Sequence, residues 1–208
     1  MSEYELQSLI LAADYRVDDV EEMWALLNQR QSNLAEIDAH HVVVNTSMWG
    51  PSRVLVTIGV RRPNSVREVL RSPAVFDISG VDEIPAMFAG EVVEKIDLYD
   101  PSPDDIVAGV IVGVMTLVDD VPALMVKVHD AAERFKQAGV RKLWVYQAFD
   151  DSREVMILQE LEDEISARRW INHPDGAAEW MTNSGIGVYP KAFVGRFAHL
   201  MAVKERVH

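Results

Sequence analysis

The 208-residue chain contains no cysteine, which excludes disulfides, thiolate zinc sites, thiol nucleophiles and cysteine-held iron–sulfur clusters. Positive charge is scarce: 20 Lys+Arg stand against 33 Asp+Glu, a formal net charge of −13. The total hides no basic half, because residues 1–100 carry 8 Lys+Arg against 17 Asp+Glu and the remainder 12 against 16. Such a surface repels phosphate backbones and anionic lipid, so neither nucleic acid nor a membrane is an expected partner. Long apolar runs are missing too. The longest, IVAGVIVGVMTLV at 106–118, has 13 residues, against the roughly 20 that a membrane-spanning helix needs. The opening MSEYELQSLI shows neither the basic start nor the small-residue cleavage site of a secretory signal, so a cytoplasmic location is expected.

Several motifs are absent as well. There is no G-x-G-x-x-G, no G-x-x-x-x-G-K-[ST] and no G-x-S-x-G, so nucleotide chemistry and serine hydrolysis lack their usual apparatus. The six histidines never fall as H-x-H, H-x-x-H or H-E-x-x-H, and no metal site is expected. His40 and His41, adjacent on a strand, are expected to point to opposite faces.

What is present is a repeat. VDDV at 17–20 recurs at 118–121, an offset of 101. Ser52-Arg53 then pairs with Ser152-Arg153 at 100, SVREVLRSP (65–73) with SARRWINHP (166–174) at 101, and SGVDEIPAMFAG (79–90) with SGIGVYPKAFVG (184–195) at 105. Four ordered matches with one four-residue insertion after Pro174 indicate a tandem duplication. The first unit spans 1–100 and the second 105–208, with the proline-containing segment at 101–104 as linker.

Each copy reads β-α-β-β-α-β. In the second, a β-branched run ends near Thr116, and Asp119 or Asp120 caps a helix with Pro122 in its first turn. Leu124, Val128, Ala131 and Phe135 keep helical spacing until Gly139, and two strands follow, joined by an Asp-Asp-Ser turn. The first copy predicts strands at 6–13, 42–49, 54–60 and 87–98 and helices at 20–37 and 65–70. This is a ferredoxin-like unit in the α+β class. Its central strands are apolar on both faces, Val107, Ile111 and Met115 alternating with Val110, Val112 and Val114, so each sheet's second face needs an apolar cover. The expectation is two antiparallel sheets packed face to face, a pseudo-dimer within one monomer that leaves a homodimer open.

EVMILQELEDEISARRWINHPDGAAEWMTNSGI, from 154 onwards, combines a strand ending in acids, a helix with Trp, an HP break and a following EWM. It resembles the antibiotic-biosynthesis-monooxygenase type of the dimeric α/β-barrel superfamily. The resemblance implies a pocket between sheet and helices and a small hydrophobic or aromatic ligand. It implies either a cofactor-independent monooxygenase acting on a small aromatic or polycyclic substrate, or a non-catalytic binding protein for a hydrophobic molecule, an acyl chain or haem.

Candidate site residues follow by setting each copy against the other. His129 stands opposite Asn28, His173 opposite Ser72, Trp144 opposite Val44 and Tyr146 opposite Thr46, the chemically capable member falling in the second copy each time. His129 or His173 is the candidate base, and Tyr146 or Asn45 the group orienting a substrate oxygen, Asn45 by analogy with the family. Trp144, Trp170 and Trp180 would enclose the ring. Each has a structural reading beside it: boundary or cap for the histidines, core packing for the aromatics. Acidic pairs such as Asp18-Asp19 and Glu21-Glu22 read as helix caps.

Overall fold

The computed structural model describes residues 9–50, 52–62, 85–99, 109–172 and 192–204. The helix expected at 65–70, His173, Trp180 and the linker lie outside them. The first repeat contributes β1 (Leu9–Arg16), α1 (Val20–Gln29), α2 (Gln31–Glu36), β2 (Ala39–Ser47), β3 (Arg53–Val60) and β4 (Ala86–Asp97). The second contributes β5 (Val110–Leu117), α3 (Val121–Asp130), α4 (Ala132–Gln137), β6 (Val140–Ala148), β7 (Glu154–Leu161), α5 (Glu164–Asn172) and β8 (Phe193–Ala202). The fold is α+β, with eight strands and five helices among the described residues. Strands hydrogen-bond in the order β1-β3-β2-β8-β5-β7-β6-β4.

Two compact units emerge, one of residues 1–91 with 198–208 and one of 92–197. In the first, β1 lies between β3 and the start of β4, and β2 flanks β3. The end of β8 borders β2 there, with Val203 N–H donating to His40 O at 2.9 Å. In the second, β5 lies between β7 and the start of β8, and β6 flanks β7. Leu98 N–H, just past β4, donates to Arg141 O of β6 at 2.8 Å. Each unit's sheet therefore ends on a strand from the other repeat, which is why β4 and β8 run to 12 and 10 residues.

Burial on both faces follows from the apolar runs. From Val54 to Val60 every residue of β3 is buried, and β7 is buried from Val155 to Gln159. A half-solvated sheet would alternate instead. Each fully buried Val, Leu or Ile contributes roughly 1.5–3 kcal/mol.

Helix ends obey local chemistry. Asp19 Oδ1 accepts from Glu21 and Glu22 N–H at 2.8 and 3.2 Å, and Asp120 Oδ1 from Ala123 N–H at 2.6 Å. The single helix expected at 20–37 is instead two, because Arg30 N–H is shared between Leu26 O and Leu27 O at 3.2 and 3.1 Å, a local tightening that re-aims the chain. Gly139 (φ 87°) ends α4 in the left-handed region, and its counterpart Asp38 (φ 56°) does the same after α2.

Candidate functional site

Trp144 and Tyr146 are two residues apart on β6 and share one sheet face, opposite Leu158 and Met156 of β7. Tyr146 is 1% exposed, and burial pushes its phenol well above the usual 10, so it persists as a neutral O–H donor. Its hydroxyl makes no hydrogen bond among the described residues. The Trp144 indole Nε1 is buried and has no acceptor among the described residues. Two donors thus share one face, that of Trp144 unpaired among the described residues, and an unpaired buried donor costs about 1–3 kcal/mol. Gln159 Oε1 is a further buried unpaired atom, on the opposite face because Gln159 pairs with Leu143.

The strand registers revise the internal comparison. β2 pairs Asn45 with Leu55 where β6 pairs Tyr146 with Met156, and β1 sets Asp14 against Leu55 where β5 sets Met115 against Met156. Equivalence through the hairpin is therefore 101, not the 100 suggested by the Ser-Arg coincidence. Trp144 corresponds to Val43, and Tyr146 to Asn45. Two of the expected site residues thus prove to hold one structural position in the two repeats. Asn45 is 4% exposed. Its row carries Asp14, whose carboxylate accepts from Arg53 Nε at 2.9 and 3.0 Å.

His129 on α3 meets Glu94 of β4, Nε2 to Oε2 at 2.8 Å, with the imidazole 57% exposed. When Nε2–H is donated to Glu94, Nδ1 keeps the lone pair that makes His129 a base. The first unit holds an imidazole–carboxylate pair that sequence comparison missed: His199 of β8 reaches Glu21 of α1, Nε2 to Oε1 at 3.0 Å. The His199 ring stacks on Trp24 at 4.7 Å between centroids and 9° between planes. Glu21 was expected only as a capping acid. The signal lay 178 residues away, in a strand whose partner was unknown.

His40 and His41 do not diverge. A β-bulge between Ala39 and His41 breaks the alternation, and their Nδ1 atoms lie 2.7 Å apart. Burial, then His40, then Arg61 hold His41 down to about 4. Trp170 is 7% exposed and packs edge-on against Phe135 at 5.5 Å, a core contact between α5 and α4. No hydrogen bond or ring contact joins His129, Tyr146, Trp144 and Trp170 to one another among the described residues. No group of three or more His, Cys, Asp or Glu able to hold a metal occurs among them either, and none of the described helices is long and apolar enough to cross a membrane.

No protein-family model and no curated protein sequence matches the chain. Solved structures do. An anthrone oxidase-like protein matches over 98% of this chain and 96% of its own, with a TM-score of 0.70 at 10% identity. The haem-degrading enzyme of Listeria monocytogenes matches over 91% and 99%, at 0.51 and 12% identity. A ferredoxin-fold protein related to antibiotic biosynthesis monooxygenases, also from Listeria monocytogenes, matches over 95% and 99%, at 0.50 and 11% identity. The chain has the ferredoxin-like fold of antibiotic-biosynthesis-monooxygenase-like proteins.

Proposed function

We propose that the protein is a cofactor-independent monooxygenase acting on a small aromatic or polycyclic substrate of the anthrone or hydroquinone type, with its site in the second unit. The observation that carries the proposal is a pair of donors on one face of β6: Trp144 Nε1–H, buried with no acceptor among the described residues, and the O–H of the buried Tyr146. They suit a phenolate or enolate oxygen, whose negative charge grows when the substrate loses a proton. His129, oriented by Glu94, is the base. The structural likeness to an anthrone oxidase-like protein supports the substrate class.

For an anthrone the chemistry balances without a bound group. The base takes a proton from the ring CH₂, and the resulting anion gives electrons to O₂ and forms a carbon–oxygen bond. The peroxide takes up a proton and loses water, so CH₂ plus O₂ becomes C=O plus H₂O. The chain supplies the base, the oxygen-binding donors and a site from which water is excluded.

The test is O₂ uptake on a panel of anthrones and hydroquinones. Uptake well above that of a His129→Ala, His173→Ala double variant supports the proposal, and equal uptake refutes it. Tight binding with no uptake replaces the enzyme by a binding protein, and a shifted Soret band on mixing with haemin identifies haem as its ligand.

A further inference from the structure

The bulge after Ala39 belongs to both repeats, because the same shift falls between Val140 and Lys142. What fills it differs. Register sets Lys142 where the first repeat has His41, with Arg141 in place of His40, and it sets Glu160 opposite Lys142 where Gly59 stands opposite His41. The second unit thus answers its lysine with a carboxylate, Lys142 Nζ to Glu160 Oε2 at 3.8 Å. In the first unit the bulge brings two half-buried imidazoles together, Nδ1 to Nδ1 at 2.7 Å, with centroids 4.2 Å apart and planes at 79°. Two cationic side chains could not meet in this way. Neutral imidazoles can, one ring donating Nδ1–H to the lone pair of the other.

We propose that His40 and His41 form a two-coordinate site for copper(I), held in line between their Nδ1 atoms. Both ligand atoms already face each other. Imidazole–metal bonds are about 2 Å long, so a linear ion sets the two nitrogens about 4 Å apart, and the rings open by about 1 Å from their present contact. The proton now on one Nδ1 passes through solvent to that ring's Nε2. Both Nδ1 lone pairs then point at the ion, and no net proton is released. The sequence gave no hint of this, because adjacent strand residues diverge unless a bulge intervenes.

Ligand number and charge select the ion. No third His, Cys, Asp or Glu joins the pair among the described residues, so the tetrahedral sphere of zinc and the tetragonal sphere of copper(II) both lack ligands there. Copper(I), with a filled d shell, is satisfied by two imidazoles. The Arg61 guanidinium lies beside both rings, its Nη1–H donating to Ala39 O at 3.0 Å, and Gly59 opposite His41 brings no carboxylate. A divalent ion would sit half-buried next to a cation with no negative ligand to offset it, and a single positive charge costs less. The site stands apart from the function proposed above, since it uses none of Trp144, Tyr146 and His129.

The probes are copper(I), kept reduced by ascorbate and titrated in competition with bicinchoninate, and silver(I), a redox-inert ion with the same two-coordinate preference. Both are added to the full chain at about pH 7.5, where imidazoles are neutral. One equivalent should change the ¹⁵N signals of two Nδ1 atoms together and leave both rings in the Nε2–H form. His40→Gln and His41→Gln should each lose that equivalent while circular dichroism shows the fold retained; methionine thioethers, which both variants keep, account for any weaker equivalents left. Arg61→Gln removes positive charge beside the rings and should raise copper(I) affinity severalfold, a gain that a damaged strand would not give. A native chain whose two Nδ1 signals do not respond, or in which one responds alone, overturns the site. So does an equivalent that survives both histidine variants. Zinc(II) that shifts the same two signals at equal concentration overturns copper(I) as the ion.

Discussion

A buried donor without an acceptor is a cost that folding alone does not explain. If Tyr146 and Trp144 are kept to bind a substrate oxygen, function and stability should respond oppositely to their removal. Tyr146→Phe should lower kcat/KM for O₂ uptake by about 10²-fold or more, the range for losing one oxyanion donor. Its unfolding free energy should stay level or rise by up to about 1 kcal/mol, because no acceptor among the described residues loses a bond. Urea denaturation alongside the rate measurement checks both halves, and a large loss of stability would make the hydroxyl a structural group. His41 supplies a second test. Its imidazole ionises near 6.5 when unfolded and at about 4 when folded, through burial first and then His40 and Arg61. The unfolded chain therefore holds the extra proton between those values, so this contribution is intact above about pH 6.5 and lost as pH falls toward 4. The loss should be on the order of 1–3 kcal/mol. Unfolding at about pH 7.5 and about pH 4.5 should show a fall that His41→Gln largely removes.

Helix ends were the elements most open to reading from sequence, because capping depends on neighbours only a few residues away. Asp19, Asp120 and Gly139 each do locally what their chemistry suggests. Asp120→Ala should cost about 1 kcal/mol. Gly139→Ala should cost more, roughly 1–3 kcal/mol, since a side chain at φ 87° is strained and the added Cβ would meet Ser166 Oγ at 2.8 Å. Thermal unfolding of the two variants should rank them in that order. The bulges after Ala39 and Val140 were not legible. Nothing in AHHVVV or VRKLWV departs from a plain strand, and the extra residue shows only against the register of β3 and β7. That one displaced residue turned His40 and His41 toward each other. The Asn45–Tyr146 equivalence was hidden differently, by a chance Ser-Arg match one residue out of step with the strand register.

At the scale of the molecule, the last strand of each repeat serves a unit built mainly from the other. Residues 198–208 belong to the first compact unit although they close the second repeat. They supply the His199 stack on Trp24, the Gln31 Nε2–H to Met201 Sδ contact at 3.0 Å and the Val203–His40 hydrogen bond. Deleting residues 198–208 should therefore expose the amides of β1, β2 and β3 in the first repeat, while β7 and α3 stay protected. Hydrogen exchange read by mass spectrometry settles it. Loss of protection confined to the second repeat would show that the strand end stabilises its own repeat.

The order of the described strands and helices and the two-faced apolar strands could be read from the sequence, because each is written in local chemistry: periodicity, caps and matching punctuation. Of the candidate site, Tyr146, Trp144 and His129 stood out when one copy was set against the other, and Asn45 by its likeness to the family; Trp170 packs against Phe135 in the core. Partnership was another matter. That Glu94 orients His129, that His199 meets Glu21 and Trp24, and that Asn45 and Tyr146 share one position were decided only by strand register and by crossing strands. A register fixes neighbours across a sheet through backbone hydrogen bonds that every residue type makes alike, so side-chain chemistry leaves no trace of it along the chain.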